Sequence, residues 1–239
     1  MSELPKYYGY KMRILEMIAD LPPGSLIPTE RALALDFGTS RTTIRKAIGE
    51  LVAEGKLTRT QGSGTYTGGP KITHVRQLTS FTEDAKAIGY TPSSEILDIE
   101  QLHVDDSHAV EAQHMNLSHG DPFVRVKRVR LGNGEPLGLE TACIPGELEG
   151  FAGHLRERGS LYATLREDFG IRITEVEDGV ETHLAGPEEA RLLKVEMGSP
   201  LLRIDRTGFD DDGRVVEWTV GHFCGDRFRF VARTRAAVA

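Results

Sequence analysis

Residues 28–67 read PTERALALDFGTSRTTIRKAIGELVAEGKLTRTQGSGTYT, and they carry two helix signatures with almost nothing between them. Thr29 offers an N-cap, Glu30 and Arg31 open the first helix, Leu33, Ala34 and Phe37 turn inward, and Gly38 ends it. Ser40 is a second N-cap, after which Ile44, Ala47, Ile48, Leu51 and Val52 repeat at helical spacing as far as Gly55. Upstream, Tyr7, Ile14, Leu15, Met17 and Ile18 predict another helix within residues 7–20, stopped before Pro22-Pro23-Gly24. Two helices meeting at a glycine, the second opening with small, polar and basic residues, form the helix-turn-helix pattern.

The first turn of that second helix has the chemistry of a base reader. Short hydroxyl side chains let a backbone approach closely, and arginine offers a fork that matches guanine O6/N7 or a phosphate. Ser40, Arg41, Thr42, Thr43, Arg45 and Lys46 fit that description. Taken alone they equally suit the solvated face of a surface helix. The next segment, KLTRTQGSGTYT, alternates Leu57, Arg59 and Gln61, turns at Gly62-Ser63-Gly64 and resumes with Thr65 and Thr67, as a two-stranded hairpin does. A basic, glycine-flanked hairpin directly behind a recognition helix is a wing, which lies along phosphates or in the minor groove.

With Pro28, Glu30, Arg31, Leu33, Ala34, Ser40, Arg41, Thr43, Arg45, Leu51, Gly55, Gln61, Gly62 and Gly64 in place, the stretch resembles the winged helix of the GntR family of bacterial transcription regulators. The resemblance implies that Arg31 and Arg41 hold double-stranded operator DNA and that Gly64 lets the wing tip approach its backbone. One recognition helix reads only a few base pairs, so a homodimer on a pseudo-palindromic operator is expected.

The charge distribution agrees with two parts that meet different partners. Residues 1–70 hold nine Lys/Arg against seven Asp/Glu, whereas the remainder holds 20 against 29. Within 40–60 five basic residues face only Glu50 and Glu54, a local patch able to attract a polyanion in a chain of net charge −7. A length of 239 residues favours two domains, and 39% hydrophobic residues suffice for a proper core. No apolar run approaches the roughly 18–20 residues of a membrane span, so a cytoplasmic protein without a membrane partner is expected. Cys143 and Cys224 support neither a disulfide framework nor a cysteine-based zinc site, and read as small buried hydrophobes.

The composition shifts near residue 71, which gives a DNA-binding domain over 1–69, a Gly/Pro-bearing linker over 70–78 and a second domain over 79–239. Strand-like alternation recurs from 93, 123, 172, 200 and 228, with tight turns at Gly132-Asn133-Gly134 and Asp212-Gly213. Helical patterns interrupt it at 80–89, 106–115, 159–169 and 187–194. The expected fold class is α+β, with a winged helix-turn-helix followed by a mainly antiparallel sheet and flanking helices.

Arg128 and Arg130, two apart on a predicted strand, point to one face, with Lys127 and Val129 on the other. Parallel arginines clamp a phosphate or carboxylate, or pair across the hairpin with Glu140, and residue chemistry leaves both readings open. The stretches QLTSFTEDAKAIGYTPSSEILD, VKRVRLGNGEPLGLETACIP and GSLYATLREDFGIRITEVEDGVET resemble the UTRA effector domain of the family's HutC-type branch, a chorismate-lyase-like fold. Among its members the chain looks closest to regulators of N-acetylglucosamine use, which respond to amino-sugar phosphates. That resemblance assigns the effector's phosphate to Arg128, Arg130, Ser160, Tyr162, Ser80 and Phe81, and its sugar to Glu140 and Glu217. Helix N-termini at Ser80 and Ser160 suit an anion, and both serines equally serve as plain caps. Where amino-sugar readers carry a tyrosine, this chain has Phe223, and the lost hydroxyl points to an altered ligand preference.

The implied function is a repressor released from its operator by a small anionic metabolite such as glucosamine-6-phosphate or N-acetylglucosamine-6-phosphate. The branch also contains readers of carboxylates such as urocanate. An enzyme acting on a sugar phosphate is the rival class, yet the eight histidines are scattered and no Gly-x-Ser-x-Gly elbow, phosphate loop or His-x-x-x-His pair occurs. No catalytic residue, metal or cofactor is expected.

Overall fold

A computed structural model describes residues 5–60, 63–69, 71–75, 81–87 and 89–231. The contacts divide into two units, one running up to Lys71 and joined by Gly225–Arg227, the other running from Ile72 to Cys224 and resuming at Phe228.

The first unit contains α1 (Lys6–Ile18), α2 (Glu30–Asp36), α3 (Arg41–Ala53) and the hairpin β1 (Leu57–Thr60) with β2 (Gly64–Thr67). Both expected caps form: the Thr29 hydroxyl accepts from the Ala32 amide at 3.2 Å, and Ser40 accepts from Thr43 at 3.1 Å. Gly38 takes the left-handed conformation, φ +64°, that lets the chain turn between α2 and α3. Ile14, Ile44, Ile48, Leu51 and Leu57 are fully buried together, each worth about 1.5–3 kcal/mol of apolar transfer. Lys11 sinks into the seam between α1 and α3 and pairs with Glu50 at 3.1 Å and with Glu54. The wing is anchored from behind, because the Ile27 amide donates to Thr65 and the Thr67 amide to Ser25, both at 2.9 Å.

The second unit contains β3 (Ile72–Val75), α4 (Phe81–Ala87), β4 (Pro92–His103), α5 (Ala109–Met115), β5 (Pro122–Gly132), β6 (Glu135–Pro145), α6 (Phe151–Arg158) and α7 (Leu161–Asp168). There follow β7 (Glu175–Leu184), α8 (Pro187–Leu193), β8 (Pro200–Phe209), β9 (Val215–Cys224) and β10 (Phe228–Val231). Six strands form one antiparallel sheet in the order β4-β5-β6-β9-β8-β7. Asn133 and Gly134 turn β5 into β6 with φ of 53° and 82°, the positive pair a type I′ turn requires.

Alternation along the strands sends side chains to two helix layers. Val124, Val126, Ala142 and Ile144 pack under α6 and α7, and Phe223 and Ile204 pack with Phe81 and Ala85 of α4. On the opposite face Phe123, Cys143 and Trp218 meet Met115 of α5, while Val129, Leu139, Leu201 and Cys224 meet Leu193 of α8. Burial pushes the Cys143 thiol up to about 12, so it behaves as the inert hydrophobe its setting suggests.

Two elements differ from the sequence expectation. The segment read as a linker holds β3, which pairs in parallel with β10, a partner far along the chain. Helix α6 was not anticipated: Gly150 and Gly159 flank it and Gly153 sits inside it, composition that reads as loop until Phe151 and Leu155 are seen to fill the core.

Candidate functional site

On the first unit, α3 presents Arg41, Thr42, Arg45 and Lys46 as exposed residues, with Thr43 partly covered and bridged to Ser40 by a 2.8 Å hydroxyl contact. Arg45 is held by Glu30 at 3.1 Å, and the same carboxylate binds Arg59 of β1 at 3.2 Å. One acid therefore links α2, α3 and the wing. Lys46 lies over the Tyr7 ring at 4.2 Å. Arg31 and Arg41 are exposed and make no ion pair among the described residues, which leaves both guanidiniums open to an outside anion. Gly64 has φ +141°, and a Cβ there would sit 2.8 Å from Leu26. Gln61 and Gly62, named from the sequence, lie outside the described residues.

The second unit encloses a cavity of about 70 Å³ lined from the sheet by Arg128, Arg130, Glu140, Arg206, Glu217 and Phe223. A volume of roughly 10–15 Å³ on this measure holds one water, so there is room for several waters or a compact anionic group. Phe81 and the Ser160–Tyr162 turn close the cavity from the helix side. Of the residues named from the sequence, the structure brings together Phe81, Arg128, Arg130, Glu140, Ser160, Tyr162, Glu217 and Phe223. Ser80 lies outside the described residues.

Two guanidiniums dominate the electrostatics. Arg128 and Arg130 are 2% and 3% exposed, and an uncompensated charge at such depth is costly. Arg128 pairs with its register partner Glu140, and Arg130 stands 4.0 Å from the same carboxylate. The Arg130 guanidinium also lies over the Phe81 ring at 4.4 Å and reaches the Thr82 hydroxyl at 3.5 Å. Even so, Nε and Nη1 of both arginines find no hydrogen-bond partner among the described residues. The ion pair of one sequence reading thus coexists with the unfilled donors of the other. Burial, with Arg128 alongside, pulls Arg130 down to about 9, which still leaves it protonated at neutral pH. Burial works to raise Glu140, but Arg128 and Arg130 outweigh it and hold the carboxyl below its usual range.

The second carboxylate is built differently. Glu217 accepts from Thr219 at 2.8 Å and from the Tyr162 hydroxyl at 3.1 Å. Burial pushes its carboxyl upward, and Glu140 adds to that effect. Tyr162 also lies 3.3 Å from Arg206, whose guanidinium binds Asp178 through Nε at 2.7 Å and Nη2 at 3.0 Å. Arg206 thereby positions Tyr162, and Tyr162 positions Glu217.

The floor is Phe223. Its ring stacks on Phe228 at 4.4 Å and on Phe81 at 6.4 Å. It lies flat on the sheet because its register partner is Gly138 and its neighbour two residues back is Gly221. A Cβ on either glycine would come within 2.4 Å of the ring. Sequence reasoning missed Arg206, Thr219 and this glycine cradle. Gly138 and Gly221 carried a usable signal, since glycine inside a strand marks a close approach; Arg206 carried none, because its place depends on the register of β8 against β9.

Comparison with known proteins bears on both units. Residues 10–67 match the bacterial regulatory proteins of the gntR family, and residues 87–229 match the UTRA domain. The chain is 35% identical over 233 residues to the HTH-type transcriptional repressor NagR of Bacillus subtilis (strain 168), covering 96% of this chain and 95% of that protein. It is 33% identical to the mannosyl-D-glycerate transport/metabolism system repressor MngR of Escherichia coli (strain K12), with 96% of each covered. The crystal structure of PhnF from Mycobacterium smegmatis superposes with a TM-score of 0.65 at 30% identity, covering 95% of this chain and 99% of that one.

Proposed function

Because this chain belongs to the gntR family of bacterial regulatory proteins and carries a UTRA domain, we propose that it is a cytoplasmic transcriptional repressor whose second unit binds a small anion. The observation that carries the effector half is the pair of buried arginines at one cavity, with four donor nitrogens that have no partner among the described residues. Buried donors are nearly always satisfied, and a phosphate supplies three acceptor oxygens of the required charge. Glu140, Glu217 and Tyr162 give the rest of the cavity the acceptors and hydroxyl that suit a sugar. A phosphosugar of the amino-sugar class is the effector favoured by this set and by the likeness to NagR.

The DNA half follows from α3 and the wing. Arg41 and the hydroxyls of Ser40, Thr42 and Thr43 read base edges, Arg31, Arg45 and Lys46 engage phosphates, and the wing from Gln61 through Gly64 lies against the backbone. A homodimer presents two such heads to a two-fold operator. The effector is bound and released unchanged, and it must favour the arrangement that DNA does not, so operator and effector weaken each other by the same factor. The test is an anisotropy titration of the protein with DNA from upstream of its own gene. Addition of glucosamine-6-phosphate or N-acetylglucosamine-6-phosphate should release the DNA from wild type and leave it bound to Arg130→Met. Release from both alike, or from neither, contradicts the reading.

A further inference from the structure

We propose that His183, Glu189 and His222 form a binding site for a divalent transition metal of zinc's class, on the face of the sheet opposite the anion cavity. The three come from β7, α8 and β9, and one ligand atom from each lies within 4.8 Å of the others. The Glu189 Oε1 is 3.6 Å from His183 Nε2 and 3.7 Å from His222 Nδ1. Ligand atoms on a tetrahedral zinc with bonds of about 2.0–2.1 Å stand roughly 3.3 Å apart, so the carboxylate is already near that spacing from both imidazoles, and the two imidazole nitrogens, within 4.8 Å of each other, draw together on loading.

The carboxylate is already aimed. Its other oxygen, Oε2, accepts from the Gly186 amide at 3.0 Å, which fixes the side chain and leaves Oε1 toward both imidazoles. Such an outer hydrogen bond is how metal ligands are commonly oriented. Side-chain exposures of 36% for His183, 16% for Glu189 and 19% for His222 give a metal a path in and leave further positions to water. Two imidazoles and one carboxylate favour zinc, cobalt or nickel over the oxygen-seeking calcium and magnesium.

The neighbouring charges permit a cation. Arg203, the register partner of His222, is occupied by Asp205 at 2.7 Å and Glu181 at 3.2 Å. Lys127 is likewise turned to Glu188 at 2.7 Å. The His183 and His222 rings are stacked, with centroids 4.3 Å apart and planes at 25°. Loading therefore rotates them about χ2, a soft torsion in histidine. Strand β9 carries Glu217, Thr219 and Phe223 toward the cavity and His222 away from it, so a metal would brace the strand that supplies much of the effector site.

The test uses the full chain, free of any affinity tag and dialysed against chelator. Titration with Co²⁺ should give the strong visible band of a four-coordinate site at one equivalent per chain, displaced by Zn²⁺. His183→Gln, a change on a partly exposed edge strand that keeps the fold, should weaken Zn²⁺ by more than the roughly 10–100-fold typical of outer-shell changes. His119→Gln, remote from the cluster in sequence and exposed, should leave binding unchanged. Absence of the cobalt band, or equal Zn²⁺ affinity in wild type and His183→Gln, would overturn the proposal.

Discussion

Arg128 and Glu140 face each other as register partners on β5 and β6 and pair at side-chain exposures of 3% and 11%. Removing the cation leaves a buried carboxylate offset by Arg130 at 4.0 Å and, more weakly, by the charge of Arg206. Arg128→Met should therefore destabilise the protein toward the lower end of roughly 3–5 kcal/mol in urea unfolding. Adding Glu140→Leu should cost less than the sum of the two single changes, because the carboxylate goes with its partner, but it should not restore wild-type stability, since Arg130 then loses the carboxylate 4.0 Å away. Additive losses in the double variant would show that the pair is not coupled.

The cradle under Phe223 predicts a steric effect. Gly138→Ala places a methyl 2.4 Å from the ring, and the ring is pinned by Phe228 and Phe81. Overpacking of this kind costs typically about 1–3 kcal/mol. Combining Gly138→Ala with Phe223→Leu should recover stability. A Gly138→Ala protein as stable as wild type would mean that the ring can lift from the sheet.

Much of this was legible in advance, and what was not has a common cause. The caps at Thr29 and Ser40, the Asn133-Gly134 turn and the strand parity that sends Arg128 and Arg130 to one face are local, and local residues decide them. Strand β3 is the reverse case: it exists because β10, more than 150 positions away, lies beside it, and no neighbouring residue announces that. Arg206 joins Tyr162 through the β8–β9 register, which alternation along one strand does not give. The Arg128 and Glu140 alternatives stood open for the same reason: a sequence shows who can pair, whereas depth shows that pairing leaves donors over.

Glu217 gives stability a pH dependence of defined sign. Its folded carboxyl is raised by burial, so its contribution is present below the unfolded value of about 4.3 and is lost as pH rises through the folded value. Glu217→Gln should consequently be more stable than wild type at neutral and alkaline pH, with the difference shrinking as pH falls toward 4.3. Denaturant midpoints across that range check it, and a constant difference would place the effect elsewhere.

On the DNA face, Arg41 is exposed and makes no ion pair among the described residues, whereas Lys46 lies over Tyr7. Arg41→Ala should weaken specific operator binding by about 1–3 kcal/mol and spare random duplex. Lys46→Ala should weaken both alike and lower the salt slope by about one. Small and equal effects from the two would remove α3 from the groove.

An anion meeting Arg128 and Arg130 is what would make the second unit a sensor, and a thermal-shift comparison of wild type with Arg130→Met tests that most directly. The ligands are glucosamine-6-phosphate, N-acetylglucosamine-6-phosphate, urocanate and inorganic phosphate. At a hundredfold excess over its dissociation constant a true ligand adds about 2.7 kcal/mol. A phosphosugar should stabilise wild type by that order and leave Arg130→Met, itself folded, unmoved. A phosphosugar shift of equal size in both proteins, or none from any anion, would contradict it.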